Sequence, residues 1–503
     1  MAMAQHRLPL IGALAAFAAV VSLTAMAASA LGPPGPRRLP DPRQVLHATT
    51  SGLDWQPCGT GAECASLAVP LDYAHPKRKT IGVAVLRLPA SDPSRRIGSL
   101  FMNPGGPGAS AAEFVRQVAP ALPAEIRARF DIVGVDPRGT GGTVPVDCHS
   151  NLDVFVAQDV TPDTPAERRQ VDGTFKDFAR TCEQNAREVL PFLSTENTAR
   201  DMDRVREAVG DAQLTYVGES YGTYLGSLYA NMFPKKVRAM VLDGAVDPKL
   251  NGFQSVRTQA VGFEKSLDAF LAQCSQDPAC PFFNGGNAAG AYDRLEAQID
   301  SQPLSGPNGR TLGPGEFSYA VPQALYGGEN GYRQLAEALA AAQHGDETPL
   351  LALSDAYTGR HEDGSYDPLL QAYTAIGCLD GPSIGDTKAF QTAEPKLRSA
   401  APRMGVSLLN QYLVCAHWPI PTVKRPGSLQ AKGAPPIVVI GTTHDPATPF
   451  KSAQALSKEL SPGVLLTVDG TTHTAFLRNG CVNDVVTRYV TELASPPAGT
   501  QCS

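Results

Sequence analysis

Charge is sparse in this chain, cysteine is never closely paired, and long apolar runs are confined to one end. Only 18% of the 503 residues are Asp, Glu, Lys or Arg, and the formal net charge is −6. That balance provides no basic surface for general nucleic-acid binding. None of the ten cysteines stands in a Cys-x-x-Cys pair, which argues against zinc-ribbon and thioredoxin-type redox sites. Beyond the first thirty residues no stretch reads as transmembrane. The glycine-rich run "NPGGPGAS" (103–110) has no Lys behind it, so it is not the G-x-x-x-x-G-K-[ST] phosphate loop. Histidine is scarce as well, nine in all, and this shortens the roster of possible general bases. No internal repeat is present.

The N-terminus has the order of a secretory signal. Arg7 precedes the apolar stretch "LIGALAAFAAVVSLTAMAASA", which ends in two A-x-A sequences, Ala25-Met26-Ala27 and Ala28-Ser29-Ala30. Residues 1–30 are expected to be a cleaved signal peptide and 31–50, opening with "LGPPGPRRLPDPRQ", a Pro-rich linker or pro-segment. The mature protein is then expected outside the cell or at its envelope, with no stable membrane association. Ten cysteines in an exported chain predict disulfides. The simplest scheme pairs neighbours: 58–64, 148–182, 274–280, 378–415 and 481–502.

Strand-like and helical patterns alternate. "IGVAVLRL" (81–88), "SLFMN" (99–103), "FDIVGV" (130–135), "LTYVG" (214–218), "VRAMVLDG" (237–244), "PIVVIG" (436–441) and "GVLLTV" (463–468) are nearly continuous apolar runs, as strands covered on both faces require. Helical patterns lie between them, among them "TARDMDRVREAVG", for which Thr198 and Asp201 suggest a capping box. The alternation predicts an α/β fold with a mostly parallel sheet. It stops after Pro248 and resumes near Pro435. The expected organisation is a sheet domain in two parts, 51–248 and 435–503, around a mainly helical cap over 249–434.

"YVGESYG" places Gly218-Glu219-Ser220-Tyr221-Gly222 between a predicted strand and a predicted helix. A G-x-S-x-G turn there lifts a serine hydroxyl out at the carboxyl end of the sheet. A serine nucleophile needs a base, and the base an orienting acid, in the chain order Ser, Asp/Glu, His. His473 follows the last strand and Asp445 follows "PIVVIG", so both fall on the same sheet edge as Ser220. Asp469 is an alternative acid, and His444 a weak competitor for the base. Thr448 suits either orientation of the Asp445 carboxylate or capping of its own turn.

Acyl transfer also needs preset donors for an oxyanion. The N–H of Tyr221 is one, and "NPGGPGAS" supplies the other, Gly106 ahead of Gly105; Pro107 has no N–H to give. Ser110 reads as a helix N-cap. Asp136 and Arg138, in "DIVGVDPRGTGGT", read as a turn held by an Asp–Arg pair. Trp418 reads as core packing.

Taken together, "NPGGPGAS", "DIVGVDPRGTGGT", "NTARDMDRVREAVG", "YVGESYGTYLG", "GTTHDPATP" and "THTAF" make the chain resemble secreted bacterial tripeptidyl aminopeptidases. These belong to the prolyl-aminopeptidase group of serine α/β-hydrolases. The resemblance runs from about Leu53 to Cys502 and includes "AIGCLD" and "CAHWP". It implies an α/β-hydrolase fold with a large helical cap and a serine exopeptidase that acts on peptides with free N-termini. No metal or cofactor is implied. Carried over, it names Ser220, Asp445 and His473 as catalytic and supports Gly106 and Tyr221 as the oxyanion hole. An exopeptidase must also bind a protonated amine, for which Glu219 and Asp380 are the candidates. The alternative is a deacylase or esterase acting on small amides or esters. A non-enzymatic binding protein fits poorly with an intact Ser, Asp, His and glycine loop. Ser220 also sets the chain apart from hydrolases that use an Asp nucleophile. The sequence carries no signal for an oligomeric state.

Overall fold

A computed structural model describes residues 52–306, 309–381 and 383–503. The expected signal peptide and linker lie outside these residues. The framework is a ten-stranded sheet whose middle strands are apolar on both faces, as the continuous hydrophobic runs demand. In chain order its strands are β1 (Gln56–Pro57), β2 (Glu63–Pro70), β3 (Thr80–Leu88), β4 (Gly98–Asn103), β5 (Phe130–Val135), β6 (Leu214–Glu219) and β7 (Val237–Asp243). A separate two-stranded hairpin, β8 (Leu304–Ser305) and β9 (Thr311–Leu312), lies in the insertion; β10 (Ile437–Thr442), β11 (Gly463–Val468) and β12 (Gln501–Cys502) complete the sheet.

The spatial order is β1-β2-β3-β5-β4-β6-β7-β10-β11-β12. From β5 through β12 every neighbouring pair is parallel, while β1, β2 and β3 form an antiparallel edge. All seven strands expected from sequence are present. The one missed strand of length, β2, reads "ECASLAVP"; its small residues blunt the apolar alternation. Parallel register sets Asn103 beside Gly218 and Glu219 beside Asp243. The carboxyl ends of β4, β6, β7, β10 and β11 therefore share one edge.

Between β7 and β10 the chain is mainly helical, beginning with Gly252–Gln276 and including Leu369–Asp380 and Thr387–Ala400. These helices bury a core of their own, distinct from the sheet's. Residues 146–193, expected to belong with the first part of the sheet domain, pack instead into the cap core: Phe155, Phe175, Phe178 and Leu193 cluster there with Phe263, Phe317 and Leu397. Polar contacts fasten the same join. Arg168 pairs with Glu394 (2.5 Å), and Cys148 N–H donates to Gln371 (2.6 Å). The cap is thus drawn from two separate stretches of chain.

All five neighbour disulfides form: Cys58–Cys64, Cys148–Cys182, Cys274–Cys280, Cys378–Cys415 and Cys481–Cys502. Two local readings need correction. The helix expected from Thr198 begins earlier, at Thr195, with Ser194 as its cap accepting from Asn197 N–H (3.3 Å). Thr198 thus lies inside the helix and cannot open a capping box, and Asp201 is committed to a buried two-pronged bridge with Arg138, at 2.6 and 2.9 Å. For the same reason Asp136 and Arg138 do not pair with each other. Asp136 accepts instead from Ser110 Oγ (2.8 Å), Ala112 N–H (3.0 Å) and Gly142 N–H (2.8 Å). Ser110 caps the helix Ala111–Val118, accepting from Glu113 N–H. Among the described residues no helix is long and apolar enough to cross a membrane.

Candidate active site

Ser220 sits between β6 and the helix Tyr221–Met232 with φ 55° and ψ −121°. A non-glycine residue held in that conformation stores backbone strain, which surrounding structure must impose. Here its N–H is fixed to Asp243 O (2.8 Å) and the next turn is tied by Thr223 Oγ1 donating to Ser220 O (2.6 Å). The flanking glycines are sterically required. A Cβ at Gly218 would stand 2.5 Å from Gly222 O, and one at Gly222 would stand 2.8 Å from Asn103 Oδ1. The Ser220 side chain faces a cavity walled by the loop after β4 and by the cap.

Asp445 and His473 meet at the same edge. His473 Nδ1 lies 2.9 Å from Asp445 Oδ2 and 3.0 Å from Oδ1. The carboxylate also accepts from Ala447 N–H and Thr448 N–H (both 2.8 Å) and from Thr448 Oγ1 (2.9 Å). Thr448 therefore serves both expected roles, orienting the acid and closing its turn. Burial alone would lower the His473 pKa, but the charge and hydrogen bond of Asp445, helped by Asp243 and Glu219, raise it above the ordinary value. Among the described residues the buried His473 Nε2 has no hydrogen-bond partner, Ser220 included. The residues beside each do touch: Thr474 Oγ1 lies 3.5 Å from Glu219. Asp243 Oδ2 fixes the His473 loop by accepting from Ala475 N–H (2.9 Å) and Phe476 N–H (2.8 Å). Asp469 and His444 are exposed and outside this cluster; Asp469 accepts from Thr443 Oγ1 (3.0 Å).

The "NPGGPGAS" loop lies against the elbow, so close that a Cβ at Gly105 would be 2.9 Å from Ser220 Cβ. Gly105 N–H is spent on Asn103 Oδ1 (3.0 Å). Gly106 lines the cavity with Ser220 and Tyr221. Among the described residues its N–H has no acceptor, and the Tyr221 N–H, at the first helical position, has no intrahelical one. Two free donors thus border the serine.

The proposed amine-binding acids differ in placement. Glu219 is buried under the elbow and does not line the cavity. Burial, followed by repulsion from Asp243, pushes its pKa up to about 7. Its carboxylate faces the His473 loop, 3.5 Å from Thr474 Oγ1. Asp380 ends the helix Leu369–Asp380 and does line the cavity. Burial pushes its pKa up to about 6, against the opposing pull of Thr195 and Arg425. Its Oδ2 accepts from both the N–H and the hydroxyl of Thr195.

Several residues on this site gave no sequence signal. Tyr326, from the cap, accepts His473 N–H on its carbonyl (3.1 Å) and sets its ring edge-on to the imidazole, centroids 5.1 Å apart. Arg425 lies over the Tyr224 ring (4.7 Å) and donates to Asp380 O (2.6 Å). Trp418 packs against the cap core, as read.

Residues 401–502 match the family described as TAP-like protein. Over 480 residues the chain is 36% identical to serine protease Hip1 of Mycobacterium tuberculosis, covering 90% of this chain and 91% of that one. The chain belongs to the TAP-like serine hydrolases. Within this family it is also 35% identical over 457 residues to carboxylesterase B of Mycobacterium tuberculosis (88% and 86% covered). It is 31% identical over 470 residues to tripeptidyl aminopeptidase of Streptomyces lividans (89% and 86% covered). A TAP-like serine hydrolase of the α/β-hydrolase fold accounts for the strained Ser220, the Asp445–His473 pair and the helical cap together.

Proposed function

We propose that this hydrolase is a secreted serine exopeptidase that releases short peptides, tripeptides foremost, from substrates with free N-termini. Ser220 Oγ attacks the scissile carbonyl carbon and passes its proton to His473 Nε2. Asp445 holds the imidazole and stabilises its charged form. The Tyr221 and Gly106 N–H groups receive the oxyanion. His473 then gives the proton to the leaving amine as the C–N bond breaks, and water hydrolyses the Ser220 ester by the same route in reverse. Asp380 meets the substrate ammonium. The observation that carries this reading is a half-buried serine on a strained elbow, opening into a cavity that the buried acid Asp380 also lines. Export is supported by five disulfides and by the signal-like N-terminus.

The likeness to carboxylesterase B favours a second reading, a deacylase or esterase with the same chemistry. Tripeptide chromogenic amides with free and with blocked N-termini, beside a short-chain ester, separate the two. Free-amine substrates should be cleaved much faster than blocked ones, and Ser220→Ala should abolish that cleavage. Equal cleavage of blocked substrates sinks the exopeptidase reading; ester turnover without amide cleavage supports the second.

A further inference from the structure

One chain of hydrogen bonds joins the cap to the elbow. Asp380 is contributed by the cap, Thr195 begins the helix Thr195–Ala208 of the sheet domain, and Tyr221 directly follows Ser220. Thr195 is fully buried and gives both its N–H and its hydroxyl hydrogen to Asp380 Oδ2. A hydroxyl has one hydrogen. With Asp380 ionised, the 2.6 Å contact between Thr195 Oγ1 and Tyr221 O–H therefore runs from Tyr221 to Thr195. The order of donation is fixed: Tyr221 to Thr195 to Asp380. The Tyr221 ring packs against both the cap core and the sheet core, so its position registers the placement of one on the other.

We propose that Thr195 is a positioning residue, holding the Tyr221 main chain for the oxyanion only while the cap carboxylate Asp380 is seated. The substrate pocket of the cap and the oxyanion donor of the sheet domain are then one coupled unit. This rests on the reading of Ser220 as nucleophile and of the Tyr221 N–H as donor, but not on the substrate being a peptide. Charged acceptors make such a chain stronger than neutral ones. With the Asp380 pKa near 6, protonation of Asp380 removes the charge that anchors the chain.

The test uses the full-length mature protein, a free-amine tripeptide chromogenic amide and a short-chain ester that has no amine. Thr195→Val and Tyr221→Phe, which keeps the main-chain N–H, should each lower kcat about tenfold on both substrates with KM little changed. That is less than the ~10²–10³-fold loss from removing an oxyanion donor outright. Thr195→Ser should restore kcat, and the double variant should be no slower than either single one. A raised KM for the amine substrate with unchanged ester kcat would overturn the proposal, because Thr195 would then serve only the Asp380 pocket. Additive losses in the double variant would overturn it too. If Thr195→Val fails to fold, Tyr221→Phe decides alone: wild-type kcat on the ester refutes the coupling. Ester turnover without peptide cleavage in the wild type would defeat the exopeptidase reading and leave this test intact.

Discussion

His473 Nδ1 and Asp445 Oδ2 are 2.9 Å apart in a buried pocket where the carboxylate is also held by the Ala447 and Thr448 main chain. The pair sets both the tautomer and the charge of the imidazole. Asp445→Asn should leave the fold intact and lower kcat by about 10⁴-fold, the order seen when the acid of such a triad is neutralised. In the proposed mechanism His473 must be neutral to accept the Ser220 proton. Since Asp445 helps to raise its pKa, kcat/KM of the wild type should fall as pH drops through that raised value. In the variant the acid limb should move to lower pH. A limb that stays in place would mean another group controls it.

Glu219 and Asp243 are register partners on β6 and β7, both buried beneath His473. The folded protein holds the Glu219 proton to about pH 7, against an ordinary value of 4.5. Its contribution to stability is therefore full below about 4.5 and is lost as pH rises towards 7. At about 1.4 kcal/mol per pH unit the loss is on the order of 3 kcal/mol. Glu219→Gln should thus gain stability relative to wild type between pH 4 and pH 8 in urea titrations. An equal difference at both pH values would place the proton elsewhere.

Gly106 and Ser110 share a loop but differ in work. Gly106 has φ 106°, outside the range of most side chains. Gly106→Val should displace the N–H beside Ser220 and lower kcat about 100-fold. Ser110→Ala removes a helix cap and an Asp136 partner. It should cost roughly 1 kcal/mol of stability and leave kcat near wild type. Thermal melts run beside kinetics distinguish the two.

The Cys378–Cys415 disulfide sits two residues before Asp380. Cys415 precedes the segment whose Val423 N–H donates to Leu379 O (2.9 Å). Replacing both cysteines with Ala should cost roughly 3–4 kcal/mol. KM for a free-amine peptide should rise more than KM for a short ester. Parallel changes for the two substrates would separate the disulfide from the Asp380 pocket.

The strands, the G-x-S-x-G elbow, the glycine loop and the loops bearing Asp445 and His473 were legible because each is encoded locally. Continuous apolar runs mark buried strands, and residues at strand ends fall on one edge once the sheet is parallel. The disulfides followed from adjacency. What escaped was non-local. Thr195 meets Asp380 across 185 positions, and Tyr326 meets His473 through a cap whose folding no short window encodes. The capping box failed because Ser194 opens the helix four residues before Thr198, and Asp201 serves Arg138, 63 positions away, instead. Residues 146–193 carry ordinary amphipathic helices, and nothing in them names the core they join.

That two-part origin bears on how such proteins diversify. Exchange of residues 249–434 between relatives would carry over only part of a hydrophobic core, leaving Phe155, Phe175 and Phe178 facing foreign side chains. It would also put the aromatic ring of Tyr326, which stands edge-on to the His473 imidazole, at risk of replacement. The cap is therefore not a cassette. New specificities in this lineage are expected to arise by point changes along the cavity wall, with the two cap-forming stretches inherited together.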